Sequence, residues 1–440
     1  MNVTVIGTGY VGLVTACCFA EHGHQVVGVD EQPDKVRRLS AGDPVIYEPG
    51  VERLLEANLK AGRLRFTTDI ADGVAASDVL FLCVGTPQGD DGKADLSQIE
   101  RVTRVIASHL DGYRLLVEKS TVPVKTATWI ARTLRLHTRA EGASFDVASN
   151  PEFTREGTAV RDFLEPDRIV IGVDSERARE LLLALYEPFD CPKVVTDVST
   201  AEIIKHASNS FLALKISYIN LMAELCEAAG GNVETVAQGM GLDERIGKSF
   251  LRAGLGYGGS CFPKDVRAFI RIGQELGVDM SILQAVDELN TRRIDEIAGK
   301  LQRALWVTRD KTVALWGLAF KPDTDDVRGA PALALAQRLL ADGAKLRLYD
   351  PKALESAQRL LPAGDRVTYC DSALHAVEGA DALAVATDWP EFGQVDLADV
   401  RRRMTTPVVV DARNMLSPAS VRAAGFEYHS VGRPESDGMA

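Results

Sequence analysis

The residues best suited to covalent chemistry lie in the stretch Gly254–Asp265, which reads Gly-Leu-Gly-Tyr-Gly-Gly-Ser-Cys-Phe-Pro-Lys-Asp. Its five glycine and proline residues disfavour an ordinary helix or a central strand, so the sequence predicts an irregular loop that holds something close to its backbone. Cys261 lies in this loop, outside any apolar run. We therefore interpret Cys261 as a presented thiol, which in an enzyme indicates covalent catalysis.

The composition is that of a globular protein with reduced thiols. The 440 residues suffice for two or three domains, and 25% charged residues is an ordinary proportion. The formal net charge of −12 argues against nucleic acid or an anionic membrane as the main partner, but it allows a local basic pocket for a phosphorylated small molecule. Seven cysteines without a Cys-x-x-Cys pair, and the lack of a secretory signal or an apolar run of about 20 residues, predict a cytoplasmic protein.

A dinucleotide-binding motif is found at the start of the chain. A predicted strand over 2–6 leads into Gly7-Thr8-Gly9-Tyr10-Val11-Gly12, a helix follows to about Glu21, and the next strand ends at Asp30. In this context the glycines allow a tight turn, a close approach of the pyrophosphate and close packing of helix and strand. The carboxylate of Asp30 would accept hydrogen bonds from the ribose and repel a 2′-phosphate, which favours NAD over NADP. The alternative is a glycine-rich turn without a ligand.

The pattern along the chain predicts an α/β fold with two Rossmann-like doubly wound domains, joined by a long central helix and a small helical middle domain. Strand ends at Thr86 and at Ser120-Thr121 should face the ligand, with a polar, mobile loop over 86–95, and a strand over 168–173 should be the last of the first domain. The second α/β domain lacks the third glycine of the motif, so we expect no second NAD site there. The predicted domains are 1–195 for NAD, 196–305 for the helical part with the cysteine loop, 306–430 for the second Rossmann-like domain, and a disordered tail at 431–440.

Three motifs carry a family resemblance: Gly258-Gly259-Ser260-Cys261-Phe262-Pro263-Lys264-Asp265, Lys205-x-x-x-Asn209-Ser210-Phe211 and Pro151-Glu152-Phe153. With them the chain resembles the nucleotide-sugar 6-dehydrogenases, the UDP-glucose/GDP-mannose dehydrogenase family, over nearly its whole length. The residues that follow the cysteine favour the branch that oxidises UDP-glucose. Enzymes acting on GDP-mannose or UDP-N-acetylmannosamine are the alternative.

The resemblance implies oxidation of a primary alcohol through an aldehyde to a carboxylate, with two NAD and one water. Cys261 would attack the aldehyde and form first a thiohemiacetal and then a thioester. A nearby cation and loop N–H groups could lower the pKa of this thiol from about 8.5. The alternative for Cys261 is an inert buried thiol.

The resemblance also implies roles for five further polar residues. Lys205 and Asn209, one helical turn apart, would stabilise an oxyanion at C6, and Glu152 would activate water against the thioester. Thr121 and Asp265 would lie near a catalytic water. The group that removes the first alcohol proton stays open between Lys205 and a water held by Thr121 and Asp265.

Binding residues follow from the same resemblance, and each has a surface charge or a core aromatic as its alternative. The glycines beside Cys261 are interpreted as room for contact with the substrate, and Arg245 would reach the site of a neighbouring subunit. The substrate residues are Glu152, Phe153, Glu156, Lys205, Asn209, Arg245, Phe250, Leu251, Arg252, Tyr257, Gly258, Lys321 and Arg413. The cofactor residues beyond the glycine motif and Asp30 are Lys35, Thr86, Ser120, Thr121, Lys264 and Arg328. We expect no metal, because the acidic stretch 323–326 lacks the spacing of a calcium site.

Two other classes of protein compete with this interpretation. A two-electron hydroxyacid dehydrogenase would share the helix with the lysine and asparagine but would not need Cys261. A non-catalytic sensor of NAD or of a nucleotide sugar would need none of Cys261, Lys205, Asn209 and Glu152. The long helix suggests a homodimer or a higher homo-oligomer.

Overall fold

The computed structural model describes residues 1–87, 89 and 94–434, and these residues form two compact units. The N-terminal unit contains Met1–Ser208 and Arg271–Gly277, and the C-terminal unit contains Asn209–Ile270 and the chain from Val278 onward. Each unit contains one sheet flanked by helices, which confirms the predicted α/β class. Parts of the predicted polar loop, residue 88 and residues 90–93, lie outside the described residues.

The N-terminal unit is built on an eight-stranded sheet in the order β3-β2-β1-β4-β5-β6-β7-β8. Its strands are β1 (Asn2–Ile6), β2 (Gln25–Val29), β3 (Leu64–Thr67), β4 (Val79–Leu82), β5 (Tyr113–Glu118), β6 (Ser144–Ser149), β7 (Ile169–Gly172) and β8 (Lys193–Thr196). All neighbours pair in parallel except β6 and β7, which are antiparallel. The prediction that the strand near 168–173 is the last is wrong, since β8 follows it at the edge of the sheet. Both valines of β8 are exposed, so this edge strand lacks the buried apolar run that marks the others.

Among the described residues of this unit, eight helices cover the sheet, and α1 is buried along most of its length because β1, β2 and α3 pack around it. These helices are α1 (Tyr10–Glu21), α2 (Pro33–Ser40), α3 (Val51–Lys60), α4 (Ile70–Ala76), α5 (Ser97–His109), α6 (Thr126–His137), α7 (Ala159–Leu164) and α8 (Glu176–Leu185). The carboxyl ends of the parallel strands β1, β4 and β5 therefore meet the start of α1 at one edge of the sheet.

A single helix, α9 (Val198–Ala229), has 32 residues and continues without a break across the division between the units. At about 1.5 Å per residue it is about 48 Å long. The sequence predicts this helix from residue 200, two residues after its observed start, and it ends before the predicted stop at Gly230-Gly231. Because α9 is continuous, Lys205 and Asn209 do lie one turn apart on the same helix.

The C-terminal unit has a parallel sheet of six strands in the order β11-β10-β9-β12-β13-β14. The strands are β9 (Thr312–Trp316), β10 (Lys345–Tyr349), β11 (Val367–Tyr369), β12 (Ala382–Val385), β13 (Val408–Asp411) and β14 (Glu427–His429). The helices are α10 (Val233–Gly241), α11 (Phe262–Glu275), α12 (Ser281–Leu305), α13 (Pro331–Ala341), α14 (Leu354–Leu360), α15 (Ala373–Ala376), α16 (Leu397–Arg403) and α17 (Pro418–Ala423), with a 3-10 turn at Pro390–Gln394. Of these, α11 ends in the segment that belongs to the N-terminal unit.

The end of the chain differs from the prediction of a disordered tail over 431–440. Val431 is fully buried, and the Arg433 guanidinium donates to the carbonyl oxygen of Leu416 and forms an ion pair with Glu234. For residues 431–434 the prediction is therefore wrong, because a buried arginine with a carboxylate partner fixes a segment whose composition is typical of a loop. Residues 435–440 lie outside the described residues. Within the described chain, no helix has the length and apolar character needed to cross a membrane.

Candidate active site

The loop between β1 and α1 has the shape that a dinucleotide needs. Gly7 adopts a φ of 90°, and a side chain at Gly12 would overlap the carbonyl oxygen of Gly7. Gly9 is different, because a Cβ there would meet no atom within 4 Å. The open space at Gly9 and the N–H groups at the start of α1 fit the pyrophosphate of a dinucleotide.

Asp30, at the end of β2, lies against this loop. Its Oδ2 accepts hydrogen bonds from the backbone N–H and the hydroxyl of Thr8 at 3.0 and 2.8 Å, and Lys35 Nζ lies 2.6 Å from the same oxygen. Burial raises the pKa of Asp30, but the hydrogen bonds from Lys35 and Thr8 outweigh burial and lower the pKa overall. The structure therefore brings the predicted residues Asp30 and Lys35 together and keeps this carboxylate ionised beside the loop.

Replacing Asp30 by alanine should weaken NAD binding by roughly 10- to 100-fold, the range for loss of a hydrogen bond to a charged group. The same variant should discriminate less against NADP, because the repelling carboxylate is gone. Equilibrium binding of both dinucleotides measures this, with Asp34→Ala as the control, since Asp34 is exposed and pairs only with Arg37 in the contacts described. Unchanged NAD affinity in Asp30→Ala would contradict the role of Asp30.

The corresponding acid of the C-terminal unit, Asp350, is placed differently. Asp350 is fully buried and its Oδ2 accepts the backbone N–H groups of Leu318 and Ala319 and the indole N–H of Trp389. The loop after β9 thus directs its own N–H groups at Asp350, and the Asp350 carboxylate is not exposed to a ligand. The absence of a second dinucleotide site in the C-terminal unit stays a prediction.

In the N-terminal unit, Glu152 and Lys205 form a buried ion pair. The Lys205 ammonium donates to Glu152 Oε1 at 2.9 Å and to the Glu152 carbonyl oxygen at 2.6 Å, and Thr154 donates to Oε2 through its backbone N–H and its hydroxyl. Burial raises the pKa of Glu152, but Lys205 and Thr154 outweigh that effect and hold the pKa below its ordinary value of 4.5. The predicted base and the predicted oxyanion-stabilising lysine are therefore direct partners.

This pair should make part of the stability depend on acid pH. Because the folded-state pKa of Glu152 is lowered, its contribution is present above about pH 4.5 and is lost as the pH falls through the lower folded-state value. We expect Glu152→Gln to unfold at a lower temperature than the unmodified protein at pH 7, with a difference that shrinks below pH 4.5. Thermal unfolding across this range tests it, with exposed Glu141→Gln as the control. A difference that stays constant with pH would contradict the prediction.

The predicted residues after β4 and β5 meet at the carboxyl edge of the sheet. The Thr86 hydroxyl donates to the carbonyl oxygen of Thr121 at 2.9 Å, and the Ser120 hydroxyl donates to that of Val84 at 2.7 Å. His206 Nε2 lies 2.7 Å from the carbonyl oxygen of Val122, a contact with the backbone of the same loop. Through Thr86 and Ser120, the loop after β4 and the loop after β5 are thus hydrogen-bonded to each other.

Two buried residues beside Glu152 were missed by the sequence analysis. Lys119 Nζ donates to Asn150 Oδ1 at 2.9 Å, and Asn150 Nδ2 donates to the carbonyl oxygen of Val170. Burial lowers the pKa of Lys119 to about 8. Lys119 directly precedes the predicted site residues Ser120-Thr121, and Asn150 directly precedes Pro151-Glu152. This adjacency could have indicated that both residues lie near the site. Glu156, a predicted substrate residue, follows a segment over 151–155 that forms no helix.

Glu48 was also missed, although it connects the glycine motif to the segment after Glu152. Its carboxylate accepts the hydroxyl of Tyr10 and the backbone N–H groups of Gly157 and Ala159, the last two at 2.6 and 2.7 Å. Burial and the contact with Glu48 raise the pKa of Tyr10. Nothing in the local sequence around Glu48 predicts a contact more than 100 residues away.

In the C-terminal unit, Cys261 is exposed and lies immediately before α11. Its carbonyl oxygen accepts the backbone N–H of Asp265 at 2.8 Å, the first hydrogen bond of that helix, and the Ser260 hydroxyl lies 3.6 Å from its sulfur. A thiol at a helix N-terminus is favoured as the thiolate. The predicted irregular loop is found over 254–261, but the prediction is wrong for 262–265, where α11 begins at Phe262 because a proline such as Pro263 is tolerated in a first turn.

The glycines before Cys261 pack against protein. A side chain at Gly258 would overlap the carbonyl oxygen of Gly329, and one at Gly254 would come within 2.8 Å of the carbonyl oxygen of Ala412. At Gly259, which has a φ of 86°, it would meet the ring of Phe320 at 2.9 Å. The small size of these glycines therefore allows close contact with neighbouring backbone and with the Phe320 ring, and their interpretation as room for the substrate stays a prediction.

Asn209 and Asp265 are also partners. Asn209 Nδ2 donates to Asp265 Oδ2 at 2.7 Å, and Lys264 Nζ lies 3.1 Å from Asp265 Oδ1. Both Asn209 and Asp265 are buried, with exposed fractions of 6% and 1%. The structure thus joins three predicted residues on α9 and the first turn of α11.

A cavity of about 260 Å³ in the C-terminal unit brings Phe250, Arg252 and Arg413 together. Arg252 forms an ion pair with Asp388 at 2.6 Å, and Arg413 Nε donates to the carbonyl oxygen of Ala386 at 2.7 Å. Two guanidinium groups and an aromatic ring fit a ligand with a base and phosphates. This cavity is the candidate binding site for the nucleotide.

Other predicted substrate residues have different surroundings. Tyr257 is buried in a hydrophobic cluster, with its ring 6.1 Å from that of Phe262, and Leu251 is buried as well. Arg245 is exposed and pairs with Asp243, and Arg328 is exposed and pairs with Asp326. Lys321 Nζ lies 5.5 Å from the centre of the Phe320 ring. For these residues the binding roles stay predictions.

Comparison with known proteins assigns the chain to a family. Three family models match in order: the NAD-binding domain of the UDP-glucose/GDP-mannose dehydrogenase family over residues 1–190, its central domain over 199–292 and its UDP-binding domain over 314–418. The chain therefore belongs to the UDP-glucose/GDP-mannose dehydrogenase family, which confirms the predicted resemblance, and NAD is its cofactor.

Individual relatives cover almost the whole chain. A UDP-glucose 6-dehydrogenase from Pseudomonas aeruginosa is 47% identical over 99% of this chain and 98% of its own length. A solved UDP-glucose dehydrogenase from Pyrobaculum islandicum matches with a TM-score of 0.92 and 43% identity, covering 98% of both chains. A UDP-D-ManNAc dehydrogenase from Pyrococcus horikoshii gives a TM-score of 0.88 at 31% identity over 99% of this chain and 100% of that one.

Proposed function

We propose that this protein oxidises UDP-glucose to UDP-glucuronate with two NAD and one water. The observation that carries the proposal is the exposed Cys261 at the N-terminus of α11, in a chain whose other unit has a complete dinucleotide loop. Oxidation of an alcohol to an aldehyde needs no nucleophilic thiol, whereas oxidation onward to an acid at the same site does. The similarity to UDP-glucose 6-dehydrogenases supports UDP-glucose over the alternative sugars.

The proposed reaction has four steps. NAD supplies the acceptor for both hydrides. First, the C6 alcohol loses a proton and a hydride and becomes an aldehyde. The Cys261 sulfur then bonds to C6, the C=O double bond becomes a single bond, and the proton lost by the thiol ends on that oxygen, which gives a thiohemiacetal. Loss of that hydroxyl proton and of a second hydride gives the thioester, and water breaks the C–S bond to release the acid and the thiol.

The remaining polar residues act on charge that develops at C6. Lys205 and Asn209 donate hydrogen bonds to the oxygen of the thiohemiacetal and of the tetrahedral intermediate of hydrolysis. Glu152, kept ionised by Lys205 and Thr154, accepts a proton from the attacking water. The base for the first alcohol proton stays open between Lys205 and a water held by Thr121 and Asp265.

The cavity lined by Phe250, Arg252 and Arg413 holds the nucleotide in this proposal. The Phe250 ring offers a face for the uracil, and the two guanidinium groups pair with the diphosphate, where Arg makes strong charge-assisted bonds. A locally basic pocket thus coexists with the overall charge of −12.

A panel of nucleotide sugars tests the choice of substrate. We expect NADH formation with UDP-glucose at a kcat/KM at least about tenfold above that with UDP-N-acetylmannosamine or GDP-mannose, because a misfit in a built pocket typically costs 1–3 kcal/mol. A higher kcat/KM for either of the other two would transfer the proposal to that substrate. NADH formation from none of the three would refute it.

We further propose that two copies associate through α9. Phe211, Tyr218 and Leu225 are exposed to 60%, 45% and 59% and recur every seven residues, the spacing of a helix seam. Leu221 adds a fourth apolar side chain to this face. Most soluble homo-oligomers use a twofold interface, in which one apolar face covers its own copy.

Light scattering tests this association. The unmodified protein should have twice the mass of one chain or a higher even multiple, and Tyr218→Glu combined with Leu225→Glu should lower it. Leu136→Glu is the matched control, since Leu136 is also exposed but lies on α6. A monomeric unmodified protein would contradict the association.

The proposal also includes the domain limits and the cellular location. We assign residues 1–195 to the NAD-binding domain, 196–305 to the central helical domain and 306–430 to the domain that binds the nucleotide sugar. None of the seven cysteines forms a disulfide, which is the state expected for a cytoplasmic protein.

A further inference from the structure

Three polar side chains from two long helices hold the backbone of the loop that leads to Cys261. Asn220 on α9 accepts the N–H of Gly254 through Oδ1 at 2.8 Å, and Arg293 on α12 donates from Nε to the carbonyl oxygen of Gly254 at 3.2 Å. Asn290 on α12 contacts the backbone of Tyr257, which lies four residues before the thiol. None of these three side chains contributes a predicted catalytic group.

The contact at Asn290 fixes both polar groups of one residue. Its Oδ1 accepts the N–H of Tyr257 at 2.8 Å, and its Nδ2 donates to the carbonyl oxygen of Tyr257 at 3.0 Å. The Asn290 amide thus pairs with the N–H and the carbonyl oxygen of one residue, as a neighbouring strand would do in a sheet. Tyr257 does not belong to a strand, so the amide takes the place of that strand. The position of Tyr257 is therefore set by α12.

The preceding glycine makes this contact possible. Gly256 has a φ of 99°, and a Cβ there would lie 2.6 Å from Asn290 Oδ1. Arg293, one turn after Asn290, is 2% exposed and also bonds Glu224 Oε1 on α9 at 3.1 Å. The face of α12 that bears Asn290 is thus anchored by a buried arginine, and its position is fixed by packing as well as by the loop.

We propose that Asn290 is a positioning residue that places Cys261 for the second oxidation. This inference rests on the proposed function, in which the thiol must capture the aldehyde before the aldehyde leaves. Capture needs the sulfur within bonding reach of C6, and a displacement of about 1 Å can cost about 100-fold in rate. The first oxidation needs no thiol, so a displaced Cys261 should let the aldehyde escape.

Two substitutions separate this role from folding. Asn290→Asp keeps the size and the acceptor but loses the donor to the Tyr257 carbonyl, and Asn290→Ala loses both bonds. We expect kcat for acid formation to fall about 10- to 100-fold in both, with KM for UDP-glucose within about threefold. Trapped aldehyde should appear among the products, so that NADH formed per acid exceeds two. The control is Gln302→Ala, since Gln302 is exposed on the same helix.

Hydrogen exchange provides a measurement that does not depend on activity. The amides of residues 257–262 should exchange faster in Asn290→Ala than in the unmodified protein, while those of α12 keep their protection. Normal kcat without free aldehyde, or unchanged exchange of this segment, would overturn the inference. If the unmodified protein fails to oxidise UDP-glucose, the proposed function falls, and exchange alone then decides whether Asn290 fixes the loop.

Discussion

Replacing Cys261 by serine should abolish formation of UDP-glucuronate, with a loss of at least about 10³-fold in the rate of acid release. A serine hydroxyl at this position lacks the nucleophilicity of a thiolate, so neither the thiohemiacetal nor the thioester forms at a useful rate. The first oxidation does not involve the sulfur. We therefore expect slow aldehyde formation with one NADH, which quantification of NADH, aldehyde and acid in one reaction would show.

Cys191→Ser is the matched control for this substitution. Cys191 is half-buried in the N-terminal unit, and burial raises the pKa of its thiol, so that it is mostly protonated at neutral pH. This variant should retain the activity of the unmodified protein. Acid production by Cys261→Ser at the normal rate would refute the covalent route.

Replacing Lys205 by methionine should lower kcat by about 10²- to 10³-fold, the usual result of removing one donor to an oxyanion. The same change takes away the ammonium group 2.9 Å from Glu152 Oε1, so the pKa of Glu152 should rise. The acid limb of the profile of kcat against pH should then move to higher pH. The shift of that limb tests Glu152 as the base, and the fall in kcat tests Lys205 as a donor to the oxyanion.

Lys60→Met removes an exposed lysine at the end of α3 and should leave both kcat and the profile unchanged. Thermal unfolding of Lys205→Met should be measured in parallel, because removing one partner of a buried ion pair destabilises a protein. A folded Lys205→Met variant with kcat within threefold of the unmodified protein would contradict the role of Lys205.

Much of the fold was predictable because its elements are long or strongly patterned. The unit β1–α1–β2 follows from an apolar strand, a glycine motif and a closing acid, and α9 follows from a helical pattern of about 30 residues. Edge strand β8 was missed because its two valines face outward and no apolar run marks it.

The surroundings of a site residue were predictable where a local motif surrounds it, as for the exposed Cys261 and for Asp30 beside the glycine loop. Contacts between distant segments were not, because local sequence has no record of them. Glu48 is bound to Gly157, and Asn290 to Tyr257, through packing of elements that the sequence keeps far apart. The close contact at Gly258 was not predictable for the same reason, since the carbonyl oxygen that approaches it belongs to Gly329.

The central claim is that one protein oxidises an alcohol to an acid while the intermediate stays bound to Cys261. The most direct measurement is the number of NADH formed per UDP-glucose consumed, with limiting UDP-glucose and excess NAD. We predict two NADH and one UDP-glucuronate for each UDP-glucose, without free aldehyde. One NADH per UDP-glucose, with the aldehyde released into solution, would contradict the claim.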